Sequence, residues 1–131
     1  MLIIRAEQID VFHAHEMRKF ESRVLAHVRE AFPRKYQEIG EGGLRDMLRE
    51  AIERASKYEL ESERDVTLFM DLMLALGPDF DNPSISPWVS EILSDEFYPN
   101  PSDRIDRLYE RVLSRIDDQE NKRVKDGGQA W

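Results

Sequence analysis

The run Leu60–Pro83, LESERDVTLFMDLMLALGPDFDNP, constrains the fold more than any other stretch of the chain. Between Val66 and Leu76 only Thr67 and Asp71 interrupt the apolar side chains. A helix that offers water no polar face belongs at the centre of a bundle. Its limits are signalled locally. Ser62 is an N-cap candidate, Asp65 resembles the return partner of a capping box with Asp in place of Glu, and Gly77-Pro78 halts the helix. The other segments are amphipathic and suited to cover this one. The pattern predicts an all-α single compact bundle of four to six helices, with a central apolar helix at about residues 63–76.

Along the chain, Met1–Arg5 is an apolar lead-in. Ala6–Phe32 reads as one long helix ended by Pro33, with Ala6, Ile9, His13, Met17, Phe20, Val24, Val28 and Ala31 on one stripe. At about 40 Å it exceeds the width of a domain of radius of gyration ~14 Å, so one end should overhang or the helix should bend. Pro33–Ile39 adds a short helical turn, and Gly40, Gly42 and Gly43 form a joint. Leu44, Met47, Leu48, Ala51, Ile52, Ala55 and Tyr58 then give an unbroken i, i+3, i+4 series. The opposite face carries Glu50/Arg54, Arg49/Glu53 and Glu53/Lys57 as a solvated ladder. Ser86 and Pro87 start a short helix with Trp88, Val89, Ile92 and Leu93 on its apolar side. Ser102 is the expected cap of a last helix with Ile105, Leu108, Tyr109, Val112 and Ile116 as its stripe. Residues 1–116 are the helical domain, and 117–131 a polar C-terminal tail or a fraying extension of the helix.

A chain of 131 residues is one domain by prior and is long enough for a true core. It has no cysteine, which removes disulfides, thiol catalysis and Cys-ligated zinc. MLIIRAEQ lacks the regions of a signal peptide, and no run nears the ~20 apolar residues of a membrane span. The expectation is a cytoplasmic protein that contacts no membrane. The net charge of −8 is concentrated in residues 59–103, where eleven carboxylates face the single Arg64. That distribution disfavours nucleic acid, which needs a basic surface. It fits either a solvated acidic rim or a patch for a basic partner.

No stretch carries a recognisable catalytic or cofactor motif, so neither enzyme chemistry nor a metal or cofactor is expected. His13 lies in the middle of the first stripe, and 14 residues, about 21 Å, separate it from His27, so one metal cannot bridge them. Asp79, Asp81 and Asn82 resemble a calcium loop only superficially, because Ser84 and Ser90 stand where an EF-hand needs Gly and Glu. Such residues before a proline ordinarily make turns. Arg64, Thr67 and Asp71 share a face of the central helix and, with His13, read as structural buried polar groups. Asp71 needs a partner, with Thr67, Arg54 and Arg107 as candidates. Asp79, Asp81, Asp95 and Glu96 lie in loops or at a helix end where the helix dipole gives them no use. With Trp88, Phe97 and Trp131 they form the candidate acidic and aromatic binding surface.

The pieces ERASKYEL, SERDV, FMDLM, LGPDFD and PWVSEIL, with Phe32-Pro33 and the RLY of Arg107–Tyr109, resemble a set of small bacterial helical proteins associated with genes beside type VI secretion spike and effector genes. The resemblance covers most of the chain, and the LGPDFD…PW combination is its most distinctive part. It carries over no catalytic residue. It implies a non-enzymatic accessory role, as adaptor or chaperone, with a secreted effector or spike protein as partner. An immunity protein that blocks a cognate toxin is the alternative within binding. An enzyme or metal protein using His13 with carboxylates is the alternative outside it.

Overall fold

The computed structural model describes the backbone of residues 6–129 and the side chains of residues 14–115. The described chain is all-helical, in the order α1 (Ala6–Ala31), α2 (Pro33–Ser56), α3 (Glu63–Leu76), α4 (Pro87–Leu93) and α5 (Pro101–Gln129). No strand occurs among the described residues. The fold is the predicted helical bundle. α1, α2 and α3 pack together, α5 lies on the far side of α3, and α4 packs on α5.

α3 is the centre, as its composition requires. Val66, Phe69, Met70, Leu72, Met73 and Leu74 are all buried. The Ser62 side chain accepts from the Asp65 N–H at 3.1 Å, and Gly77, at φ 110°, closes the helix with its N–H on the Met73 carbonyl. The return half of the capping box does not form. The Asp65 carboxylate accepts instead from Ser102 Oγ of α5 at 2.5 Å, which ties α3 to α5 through a buried acid. Ser102 is therefore not the cap of α5, because its hydroxyl is spent on Asp65. Asn100 takes that place, its Oδ1 accepting from the Ser102 N–H at 3.0 Å. Ser86 starts α4 without a side-chain cap bond, leaving Pro87 as the start signal.

α1 buries a wider arc than the predicted stripe, because it meets both α2 and α3. Phe20, Glu21, Val24, Leu25 and Val28 are buried, whereas Ala31 is exposed. The overhang falls on the N-terminal side, where every residue from Ala14 to Lys19 is exposed. At the other end of the charge spectrum, buried Glu21 is met by Arg45 at 3.9 Å and Arg49 at 3.8 Å from α2. α5 continues as helix through residues 117–129, where a tail was one expectation.

The joint in α2 is real and local. Gly40 has φ 79° and ψ 164°, inside a segment otherwise helical from Pro33 to Ser56. That backbone region is essentially closed to residues with a Cβ. Gly40→Ala is expected to cost about 1–3 kcal/mol. Gly42, two residues on, lies in helix with open space around an added Cβ. Gly42→Ala should be neutral or stabilising by up to ~1 kcal/mol, because alanine loses less entropy on folding. Urea unfolding of the two variants side by side checks both signs.

Candidate functional site

Asp71 has a partner, but neither arginine nor threonine. His27 Nε2 of α1 lies 2.8 and 2.9 Å from the two Asp71 oxygens, so its N–H donates into the carboxylate. Arg54 is committed elsewhere, Arg107 lies at Asp95, and Thr67 Oγ1 donates to its own helix at the Glu63 carbonyl, 2.7 Å away. Arg64 is exposed, not buried, and bridges Asp65 at 3.0 Å and Asp106 at 2.5 Å. His13 lies in α1, with its side chain outside the described residues. The pairing was missed because His27 falls at the edge of the α1 stripe, and only the crossing of α1 over α3 brings it to Asp71.

Burial pushes the Asp71 carboxyl above its ordinary value of 3.8, and the His27 hydrogen bond and charge pull it back only in part. The two members of the pair should therefore differ under mutation. His27→Ala leaves a buried acceptor without its donor, a loss of about 1–3 kcal/mol. Asp71→Ala leaves a ring already 40% exposed, which water can satisfy, so it should cost less. The pH dependence has a definite sign. A carboxyl raised in the folded state binds its proton more tightly there than when unfolded. Its stabilising contribution is complete below 3.8 and is lost as pH rises through the raised value. Wild type should gain on Asp71→Asn as pH falls through that window, measured by urea unfolding at stepped pH.

The predicted acidic surface divides. Asp81 does not belong to it: the residue is buried, accepts from Arg54, and accepts from Tyr58 OH at 3.1 Å. Asp95 is used locally, accepting from the Phe97 N–H at 3.0 Å and facing Arg107 at 3.5 Å. Asp79 and Glu96 are exposed, with no salt-bridge partner among the described residues. Phe97 is 82% exposed and stacks edge-on against Tyr98, whose ring also meets the Arg107 guanidinium at 4.0 Å. Trp88 is half-buried beneath Arg115, 4.0 Å from the ring centroid. Trp131 lies outside the described residues. Asn82 Oδ1 accepts from the Ser84 N–H at 2.9 Å, the turn chemistry expected before Pro83.

Two further apolar residues are exposed. Leu76 is 42% and Ile85 63% exposed. With Asp79, Phe80 and Trp88 they line an open groove of about 360 Å³ at the C-terminal end of α3. Ile85 was legible as an isoleucine between two serines in a polar loop, since nothing in its neighbourhood offers it a core. Among the described residues no group of three or more His, Asp or Glu side chains is placed to hold a metal ion. No described helix is long and apolar enough to cross a membrane. Comparison with protein-family models, curated proteins and solved structures finds no match to this chain.

Proposed function

We propose that this chain is a non-enzymatic interaction protein that docks a partner on the groove of Leu76, Asp79, Ile85 and Trp88, with the exposed Phe97 past α4 as a second contact. The observation that carries this reading is the exposure of Ile85 and Phe97, at 63% and 82%, within the acidic third of the chain. Large apolar side chains held out to water beside unpaired carboxylates suit an interface with an apolar centre and a charged rim. The rim carboxylates are Asp79 and Glu96, which favours a partner with a basic surface. The resemblance to accessory proteins of type VI secretion makes a secreted effector or a spike protein the first partner to try.

The experiment is co-expression with candidate effector and spike proteins, followed by affinity capture and binding kinetics. Ile85→Ser with Phe97→Ala should weaken a captured complex by more than about tenfold, the range of a lost interface anchor. Both positions are exposed, so the melt should stay near that of wild type. Asp79→Lys with Glu96→Lys should slow association most at low salt. Asp81 is excluded from that set, because reversing it would break a buried pair with Arg54. Capture by neither candidate, or a complex indifferent to these substitutions, would refute the reading.

A further inference from the structure

A second surface lies at the other end of α3, where α1 packs beside α2 and α3. Met17 and Phe20 of α1, Ile52 of α2 and Val66 of α3 floor a groove of about 410 Å³. Glu16, Glu61 and Glu63 stand around it, from α1, the α2–α3 connection and the first turn of α3. Met17 is 39% exposed, and methionine is the apolar side chain that adapts most readily to an incoming one. Glu61 faces no cation among the described residues, and Glu16 meets only exposed Lys19 at 3.7 Å on its own helix. Past Phe20 and Glu63, which both grooves share, the depression continues as a second one of about 350 Å³ beside Arg23, Arg64 and His27. The two depressions follow α1 from Met17 to His27, about 15 Å of helix, and the exposed Arg23–Glu63 ion pair joins α1 to α3 where they meet. Glu16 and Glu61 make one end acidic, whereas at the other end Arg23 is paired with Glu63, Arg64 with Asp65 and Asp106, and His27 with Asp71.

We infer that this trough docks an amphipathic helical segment of a partner protein, seated by its apolar face, with its basic end over Glu16 and Glu61. An apolar floor between helices accepts a helix through anchors spaced at i, i+3 and i+4. The acidic end selects a segment with a basic end and so the direction in which it lies. The surface is separate from the Leu76–Phe97 face, so each stands or falls alone.

The test is an NMR titration of the ¹⁵N-labelled full chain with a designed peptide of about four helical turns, bearing a leucine stripe and lysines at one end. Its control has the same stripe, with glutamates in place of the lysines. Backbone shifts are expected at Met17, Phe20, Ile52 and Val66, with the lysine peptide binding at least about tenfold tighter than the control at low salt. Glu16→Lys with Glu61→Lys should reduce or invert that preference without moving the melt. No binding of the lysine peptide, equal binding of both peptides, or shifts confined to Leu76–Trp88 would each overturn the inference. So would concentration-dependent shifts at Met17 and Phe20 without peptide, which would assign the trough to a second copy of the chain. The peptide comparison uses the wild-type protein, so it decides the matter even if the double variant fails to fold.

Discussion

Arg54→Ala should be among the most destabilising single changes in this protein, at about 3–5 kcal/mol, the loss expected when a buried ion pair is broken from one side. The Arg54 side chain is only 15% exposed and its partner Asp81 only 12%. The guanidinium donates to the Asp81 carboxylate and to the Pro78 carbonyl, and lies over the Phe69 ring at 5.6 Å. It therefore holds the end of α2 to the loop that follows α3. Truncation leaves Asp81 buried with only the Tyr58 hydroxyl as donor, at 3.1 Å. The loss is a large share of the roughly 5–15 kcal/mol that a domain of this kind has. Thermal melting should fall by on the order of 10 °C. Asp81→Asn, which keeps an acceptor in place, should cost less. A melt of Arg54→Ala within a degree or two of wild type would show that Asp81 is satisfied without it.

Phe69→Ala should cost a similar amount, about 3–5 kcal/mol, by a different mechanism. Phe69 is fully buried on α3, with Phe80 4.9 Å and Tyr58 6.3 Å away between ring centroids. Removing the ring opens a cavity beneath the same loop that Arg54 ties down. Phe69→Leu keeps most of the volume and should lose markedly less. The two sites touch, so their effects should not add. In the double variant the cation–π contact is lost only once, and the loop is already released by either change. A double-mutant cycle by urea unfolding should give a coupling above about 0.5 kcal/mol. Strict additivity would mean that the ring and the guanidinium act independently.

The Arg54–Asp81 and His27–Asp71 pairs belong to a common pattern. Glu21, Asp65, Asp71 and Asp81 are the buried carboxylates among the described residues, and each meets a donor from another helix or, for Asp81, from α2 across a loop. Glu21 meets α2, Asp65 meets α5 and Asp71 meets α1. Three of the four sit in the acidic third of the chain, so part of that acidity fastens helices together and is unavailable to a partner. Of the four carboxylates expected at the binding surface, Asp79 and Glu96 are the exposed ones with no salt-bridge partner among the described residues.

What the amino-acid order determined by itself was local and periodic. The all-round apolarity of Val66–Leu76 placed α3 at the centre, because no orientation of that segment could face water. Ser62, Gly77, Pro33 and Gly40 set boundaries and the joint through backbone chemistry that needs no neighbour. The exposed Phe97 was also legible, as an aromatic beside two prolines in an acidic connector. What only the tertiary structure decided was the fate of every charge with more than one possible partner. Arg54 reads as part of a solvated ladder until the Asp81 loop folds over it. Asp81 reads as surface for the same reason, and His27 reads as the edge of a stripe until α1 crosses α3. Likewise the trough beside Met17 exists only where α1 meets Ile52 of α2 and Val66 of α3. Helical periodicity is carried by neighbours three and four residues apart, whereas these pairings join residues 27 to 44 positions apart, and they depend on crossing geometry that no local pattern encodes.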